Sequence, residues 1–326
     1  MDGANPGLLW ANLIHLSYNM WCDRPLDTTE GPAKHIVAQP YLRFDDAVWA
    51  ELLEAMRDAG FNAVVLDLGD GVRYESHPEI AVDGAWTSDR LRSELKRLRG
   101  LGLEPIPKLN FSTAHDAWLG PYARMVSTPE YYRVCADLIR EVCALFYRPR
   151  LFHLGMDEET AEHQHSHAYA VMRQHELWWD DLLFYVAEVE RMGSRAWIWS
   201  DYVWRHPDTF YKRMPRNVVQ SNWYYDAAFD AEPTSSEPEA YEYGRAYLAY
   251  RDMSVRGFDQ IPTGSNWTVP TNFEGTVRYC LRHVRSEGLM GFLQTPWLPT
   301  LPECRDRHLA AIEQVAAARK RIETPL

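Results

Sequence analysis

Two adjacent carboxylic acids, Asp157 and Glu158, come directly after a short apolar run that ends at Gly155. An acid that its surroundings shield from water can have a raised pKa and donate a proton near neutral pH, while an ionised neighbour stabilises positive charge. Nearby Trp side chains could provide that shielding and raise the pKa of one of the two. The same acids could instead cap the following helix together with Glu159 and Thr160. The motif alone leaves both interpretations open.

Aromatic and polar residues close most of the other apolar runs. Prominent among them are four Trp, one Tyr, two further acids and one His: Trp199, Trp223, Trp267, Trp297, Tyr225, Asp70, Asp201 and His115. Indole faces stack on the C–H faces of sugar rings, and carboxylates bind sugar hydroxyls or transfer protons. Packing in the interior explains any single Trp equally well. The repetition at the ends of the runs favours a carbohydrate as the substrate.

The elements that must position these residues alternate along the chain. Strand-like runs, each followed by a helical pattern or turn, are predicted at 8–16, 62–68, 104–109, 150–155, 195–199, 217–223, 257–262 and 288–294. Helices are predicted after Asp45 or Asp46, at 89–98, 129–145, 177–192, near Phe210, and at 240–251, 275–287 and 305–322. A doubly wound sheet would favour a Gly-rich phosphate-binding turn after the first strand, and no such turn follows the first run here. The pattern predicts a single-domain (β/α)₈ TIM barrel over residues 1–326, with functional residues at the carboxyl ends of the strands.

Charge and composition argue against several other classes of function. The chain has 34 Lys and Arg against 46 Asp and Glu, a net charge of −12, and shows no cluster of cations along the sequence. We therefore expect no binding to nucleic acid. The five cysteines are widely spaced, which indicates reduced thiols in a cytoplasmic protein. Because the sequence has no long apolar stretch and no recognisable signal peptide, we expect no membrane partner.

The segment that carries the two acids resembles a family signature. Residues 153–158, HLGMDE, resemble the His-x-Gly-Gly-Asp-Glu signature of the family-20 β-N-acetylhexosaminidases, with Met156 in place of the second Gly. Residues 62–79 look like the second strand of that family and the turn after it. Residues 102–115 are similar to its Ile-Pro-Glu-Ile-Asp-x-Pro-Gly-His segment, and residues 199–201 loosely match a Trp-Asp-Glu strand end. Together these segments cover most of the predicted barrel, and the Asp157–Glu158 motif is the specific one.

The resemblance implies hydrolysis of a terminal β-linked N-acetylhexosamine by substrate-assisted catalysis, with no cofactor and no metal. Glu158 would protonate the departing glycosidic oxygen and later activate water. Asp157 would hold the 2-acetamido group, whose carbonyl attacks the anomeric carbon, and would stabilise the resulting oxazolinium ion. Asp70 and His115 would tune the acid. The sugar would be bound by Trp199, Asp201, Trp223, Tyr225, Trp267 and Trp297.

The sequence departs from the family pattern in places that bear on specificity. The first strand of the family ends in an Arg that clamps distal hydroxyls of the sugar, and residues 15–21 contain no Arg. Lys108 and Asn110 stand where the family has acids, and one extra residue precedes His115. We expect a changed sugar or linkage preference, and the sequence does not select between gluco and galacto substrates.

Other functions remain open on the sequence alone. Alternating histidines could ligate a divalent metal together with Asp157, as in barrel isomerases and metal hydrolases, if an extended loop gathered all of them: His163, His165 and His167. A solvated His-rich loop is the simpler interpretation. A non-catalytic barrel could bind glycans through the same aromatic surface. An ordinary retaining or inverting glycosidase would use Asp201 or Asp226 as its second carboxylate.

Overall fold

Eight parallel strands form a near-closed barrel in the computed structural model, which describes residues 7–26, 34–230, 241 and 243–323. The strands are β1 Leu9–His15, β2 Ala63–Asp67, β3 Glu104–Lys108, β4 Leu151–His153, β5 Arg195–Trp199, β6 Val219–Ser221, β7 Thr263–Ser265 and β8 Gly291–Thr295. Their order is β6-β5-β4-β3-β2-β1-β8-β7. Isolated bridges, including Trp223 with Thr263, join β6 to β7 and complete the circle. The predicted (β/α)₈ fold is confirmed.

Helices connect the strands on the outside of the barrel. They are α1 Asp46–Asp58, α2 Ser88–Gly100, α3 Pro129–Leu145, α4 Glu176–Arg191, α5 Tyr202–Arg205, α6 Pro207–Arg213, α7 Leu248–Val255, α8 Asn272–His283 and α9 Arg305–Glu323. Side-chain oxygens of Asp45, Thr87 and Thr128 accept backbone N–H bonds at the starts of α1, α2 and α3. Such N-caps fix where a helix begins and therefore where the preceding loop ends. Among the described residues, no helix is both long and apolar enough to cross a membrane.

The seventh unit differs from the prediction. The expected strand at 257–262 is wrong, because regular pairing begins only at Thr263, after Pro262, which has no amide hydrogen to give to a ladder. Before that proline, Gln260 makes only isolated bridges. The helix expected at 240–251 is observed at Leu248–Val255, and residues 240 and 242 lie outside the described part of the chain.

Side chains from alternate strand positions fill the barrel. An inner apolar cluster includes Leu9, Leu13, Val65, Ile106 and Leu151. The strands β1 to β4 then end on inward-facing polar residues that lie in register: His15 opposite Asp67, Asp67 opposite Lys108, and Lys108 opposite His153. The aromatic rings at the ends of β5, β6 and β8 belong to the same inner cluster. The mouth of the barrel therefore rests on a packed interior rather than on a pore.

Candidate active site

The backbone turns sharply where β4 ends, and this turn presents the two acids. Gly155, Met156 and Glu158 have φ values of 73°, 79° and 55°, all in the left-handed region. A Cβ atom on Gly155 would lie 2.8 Å from the Cα of Asn110 and closer still to the carboxamide of that residue, so only glycine fits. Met156 stands where the family signature has its second glycine and adopts a φ that favours glycine. The turn places Asp157 and Glu158 on the wall of one cavity.

The carboxylate of Asp157 is held by two side chains of the segment after β3. Asn110 Nδ2 donates to Asp157 Oδ1 over 2.9 Å, and His115 Nε2 lies 3.3 Å from Asp157 Oδ2. The Ser112 hydroxyl donates to the backbone carbonyl of Asp157. Asp157 is only 5% exposed. Asn110, which stands where the family has an acid, therefore supports an acid here.

Glu158 contacts a different histidine through each carboxylate oxygen. His115 Nε2 lies 3.1 Å from Oε2, and His163 Nε2 lies 3.4 Å from Oε1. The backbone N–H of Glu158 donates to Asp201 Oδ2 over 2.8 Å. Since His115 contacts both acids and is itself buried behind them, it fixes the position of one relative to the other.

The charges of these neighbours set the protonation of the site. Burial by itself would raise the pKa of Glu158, but hydrogen bonds from His115 and His163 outweigh it and hold that pKa well below its usual range. Burial by itself would lower the pKa of His115, yet the charges of Asp157 and Glu158 raise it to about 10. Burial and the nearby charge of Asp157 raise the pKa of Asp201 to about 7. Glu158 is therefore not an acid with a raised pKa, because two histidines outside its motif contact its carboxylate.

Aromatic rings form the wall of the cavity around the acids. The cavity has a volume of about 1180 Å³, and it is lined by all four Trp residues that the sequence predicted, together with Tyr225 and Asp201. Trp223 stacks on Tyr225 with ring centroids 5.1 Å apart, and Trp297 Nε1 donates to the Tyr225 hydroxyl over 3.0 Å. Trp267 lies at the rim and is 41% exposed. The structure thus brings most of the predicted site residues together.

Further aromatic residues of the wall were not predicted as site residues. Trp204 lies 4.5 Å from Trp223 between ring centroids and also contacts Tyr243. Trp21 presents an edge contact to His115 at 4.4 Å. Trp204 belongs to α5 and Tyr243 to the short 3₁₀ helix Tyr243–Arg245, so neither closes an apolar run in the sequence. The sequence signal that could have identified Trp204 is its position three residues after Asp201, a predicted site residue.

Asp70 is the predicted residue that the structure places apart from the acids. It accepts hydrogen bonds from the Ser17 hydroxyl and from Asn19 Nδ2, the latter over 2.9 Å, and burial raises its pKa to about 6. Asn19 in turn accepts from the Arg43 guanidinium over 2.8 Å. Within the described residues, Asp70 makes no hydrogen bond to His115. Its role in tuning the acid stays a prediction without a supporting contact.

The alternating histidines are not gathered around one point. His163 contacts Glu158, His165 bonds to the carbonyl of Glu162, and His167 is buried with no partner for either ring nitrogen in the described part of the chain. A different group has the spacing of a metal site, since one ligand atom from each of three residues lies within 4.8 Å of the others: His115, Asp157 and Glu158. Histidine and carboxylate ligands suit several divalent metals.

The two residues considered as a second carboxylate differ in position. Asp201 lines the cavity, and Trp223 Nε1 lies 3.3 Å from its Oδ1. Asp226 is not on the cavity wall; its backbone carbonyl accepts from Asn272. Of the two, only Asp201 is placed to take part in chemistry at the acids.

The fold is similar to the catalytic domains of family-20 glycoside hydrolases. An exo-β-N-acetylglucosaminidase from Vibrio harveyi, solved with N-acetylglucosamine, matches 98% of this chain and 57% of its own, with a TM-score of 0.62 and 13% identity. A chitobiase from Flavobacterium johnsoniae matches 98% of this chain and 51% of its own, with a TM-score of 0.64 and 16% identity. An N-acetyl-β-hexosaminidase from Streptomyces plicatus, solved with thio-NAglucal, matches 95% and 64%, with a TM-score of 0.61 and 13% identity.

These likenesses concern the fold. No protein-family model and no curated protein sequence matches the chain. The chain spans between half and two thirds of the length of the three solved proteins. The family resemblance read from the signature is confirmed as a structural match at low sequence identity.

Proposed function

We propose that this barrel is a glycoside hydrolase that removes a terminal β-linked N-acetylhexosamine by substrate-assisted catalysis. The observation that carries the proposal is the shared contact of Asp157 and Glu158 with His115 Nε2, at 3.3 and 3.1 Å, on the wall of a cavity lined with aromatic rings. The two acids are adjacent in the sequence, and His115 holds each of them in a fixed position. Two acids with different roles on one sugar need such fixed positions. The structural neighbours, two of them solved with sugar ligands, support a carbohydrate as the partner.

In the proposed reaction the acetamido group of the substrate is the nucleophile. Asp157 accepts the acetamido N–H and orients the carbonyl oxygen, which bonds to the anomeric carbon as the glycosidic bond breaks. The negative charge of Asp157 stabilises the positive oxazolinium ring that forms. The Tyr225 hydroxyl lines the same cavity and donates to the acetamido oxygen. Water then attacks the anomeric carbon, and the ring reopens.

Glu158 moves the protons in both steps. It protonates the departing glycosidic oxygen and then takes a proton from the attacking water. Because His115 and His163 hold Glu158 ionised, the proton resides on these imidazoles until the glycosidic oxygen approaches. Glu158 thus acts as the last member of a short hydrogen-bonded group that stores the proton.

Turnover of chromogenic substrates tests the assignment. We expect the wild type to hydrolyse the 4-nitrophenyl β-glycoside of N-acetylglucosamine or N-acetylgalactosamine, and Glu158→Gln to lower kcat by about 10²–10⁴-fold. Asp157→Asn should lower kcat by orders of magnitude with little change in KM, since its main interaction strengthens as the oxazolinium forms. Asp226→Asn, which removes the same charge away from the cavity wall, is the matched control and should retain activity.

An inhibitor distinguishes substrate assistance from the other functions. A thiazoline of the sugar mimics the oxazolinium and should bind far more tightly than the sugar itself. Binding of the sugar without cleavage would identify a glycan-binding barrel instead. Loss of turnover on prolonged chelation, restored by a divalent metal, would identify His115, Asp157 and Glu158 as metal ligands and contradict the proposal.

A further inference from the structure

A basic pocket lies at the other end of the barrel from the acids, where β3 begins and the segment after α3 leads into β4. Its wall carries cations from two distant segments of the chain: Arg92, Lys96, Arg99, Arg148 and Arg150. Glu104 is the one acid that the described wall contains. The sequence shows no cluster of cations along its length, but folding creates one. In a chain of net charge −12, this pocket reverses the sign of the local charge.

Much of the positive charge in the pocket is not neutralised by the protein. Both oxygens of Glu104 are taken by Arg150, with Nε 2.7 Å from Oε1 and Nη2 2.8 Å from Oε2. Arg92 pairs at 3.2 Å with Asp89, which is almost fully exposed. Throughout the described chain, Lys96 and Arg148 form no ion pair. The pocket therefore presents free cations that an anionic ligand could bind.

The backbone holds one side of the pocket in an unfavourable conformation. Two residues after the end of α3, Tyr147 and Arg148 have φ values of 56° and 58°, two consecutive non-glycine residues in the left-handed region. Such residues carry strain and tend to mark binding or switching sites. The ring of Tyr147 is 65% exposed, with the guanidinium of Arg99 5.4 Å from its centroid. Arg99 also donates to the carbonyl of Phe146 over 2.9 Å, which ties α2 to this segment.

We propose that this pocket binds a ligand of the nucleoside diphosphate class. Two adjacent phosphate groups match the free charges of Lys96 and Arg148. The guanidinium of Arg99, which the Phe146 carbonyl and the Tyr147 ring hold in place, adds positive charge beside them. The exposed ring of Tyr147 offers a flat surface on which a base stacks. A volume of about 690 Å³ suits a ligand of this size. The pocket lies away from the carboxyl ends of the strands, so we infer binding rather than chemistry here.

Isothermal titration calorimetry on the full chain tests this inference, with ADP and inorganic pyrophosphate as probes at about 50 mM salt, where charge screening is weak. We expect saturable one-site binding of both probes, with ADP tighter. The double variant Lys96→Gln/Arg148→Gln should weaken both by about tenfold or more, because each removed cation contacts phosphate. Tyr147→Ala should weaken ADP alone. The control Lys212→Gln/Lys320→Gln changes the net charge equally and should bind like the wild type.

Three results would overturn the proposal. The first is no saturable binding of either probe by the wild type. The second is equal loss, or no loss, in the pocket variant and in the control variant, which would make the binding a general charge effect. The third is equal affinity for ADP and pyrophosphate that Tyr147→Ala leaves unchanged, which would remove the nucleotide assignment. All substituted side chains are exposed, and thermal unfolding midpoints close to that of the wild type would verify that the variants fold.

Discussion

A single imidazole links the two acids of the candidate site. His115 Nε2 contacts Asp157 and Glu158, while its Nδ1 has no hydrogen-bond partner in the described residues. The edge of Trp21 packs against the same ring and helps to exclude water from it. With its pKa raised to about 10, His115 carries a positive charge at neutral pH and, together with His163, keeps Glu158 ionised. The pKa of Glu158 is therefore set by the histidines that contact it and not by its own burial alone.

The second histidine at Glu158 gives a prediction that spectroscopy can check. Its hydrogen bond to Glu158 raises the pKa of His163 above the usual 6.5, so the ring keeps its proton to higher pH than an isolated histidine. In Glu158→Gln the ring loses this stabilising charge, and its pKa should fall. The measurement is an NMR pH titration of the imidazole C–H resonances, with His163 identified by its absence in His163→Asn.

A neighbouring acid supplies the control for this titration. Glu162→Gln removes one negative charge from the adjacent residue, whose carboxylate makes no hydrogen bond to His163 within the described residues. We expect the His163 titration to remain as in the wild type. If Glu158→Gln and Glu162→Gln shifted the midpoint equally, the contact between His163 and Glu158 would not be what holds the proton.

The end of β4 is the element on which the geometry of the site depends most. Gly155 and Gly193 have similar φ values, 73° and 79°, but only Gly155 is crowded by a neighbour, Asn110. Gly193→Ala should therefore cost about 1 kcal/mol of unfolding free energy, from backbone conformation alone. Gly155→Ala should cost about 3 kcal/mol, because the added methyl group also displaces Asn110.

The two glycine variants also differ in their expected effect on activity. Asn110 donates to Asp157, so Gly155→Ala should lower kcat strongly even in the fraction that is folded, whereas Gly193→Ala should leave kcat unchanged. Urea unfolding gives the stabilities, and turnover normalised to folded protein gives the activities. Equal losses of stability in the two variants would show that the close approach to Asn110 does not matter.

At the scale of elements, the sequence was most informative where local pattern and tertiary packing agree. Continuous apolar runs such as 62–68 identified the strands, and residues closing those runs identified the acids and four of the Trp residues of the cavity. Trp204 was missed because it lies beyond the strand end, on α5, and His163 was considered only as a metal ligand and not as a partner of Glu158. The resemblance implied that His115 tunes the acid, but not that His115 and His163 together lower the pKa of Glu158, because spacing along the chain does not give the distances from their rings to its carboxylate.

Across the whole molecule, a polar layer separates the apolar interior of the barrel from its mouth. Asp67 lies between two of its neighbours, with Oδ2 2.6 Å from Lys108 Nζ and 3.0 Å from His15 Nδ1. Burial and the charge of Lys108 hold the pKa of His153 well below its usual range. The layer thus contains the Asp67–Lys108 ion pair with His15 and His153 beside it. Burial disfavours the charged form of both histidines. Lys108, which stands where the family has an acid, therefore neutralises Asp67 in the interior and does not line the cavity.

This ion pair makes the stability of the barrel depend on pH in a defined window. Burial alone would raise the pKa of Asp67, but Lys108 and His15 lower it from 3.8 to about 2. A carboxyl whose pKa is lower in the folded state stabilises the fold above its unfolded pKa and loses that contribution as the pH falls. We expect about 2 kcal/mol of unfolding free energy to disappear between about pH 4 and pH 2.

Substitutions separate this contribution from those of other acids. Asp67→Asn leaves Lys108 buried without a charged partner and should cost about 3–5 kcal/mol at neutral pH, whereas Asp67→Asn/Lys108→Met should recover most of that loss because no charge remains unpaired. Urea unfolding followed by circular dichroism, from pH 7 downward, gives the free energies. Because the double variant has no carboxyl group at position 67, its unfolding free energy should fall less between about pH 4 and pH 2 than that of the wild type. Two results would show that the Asp67–Lys108 pair does not stabilise the barrel in this way. One is equal stability of the single and the double variant. The other is an acid-induced loss of unfolding free energy in the double variant as steep as in the wild type.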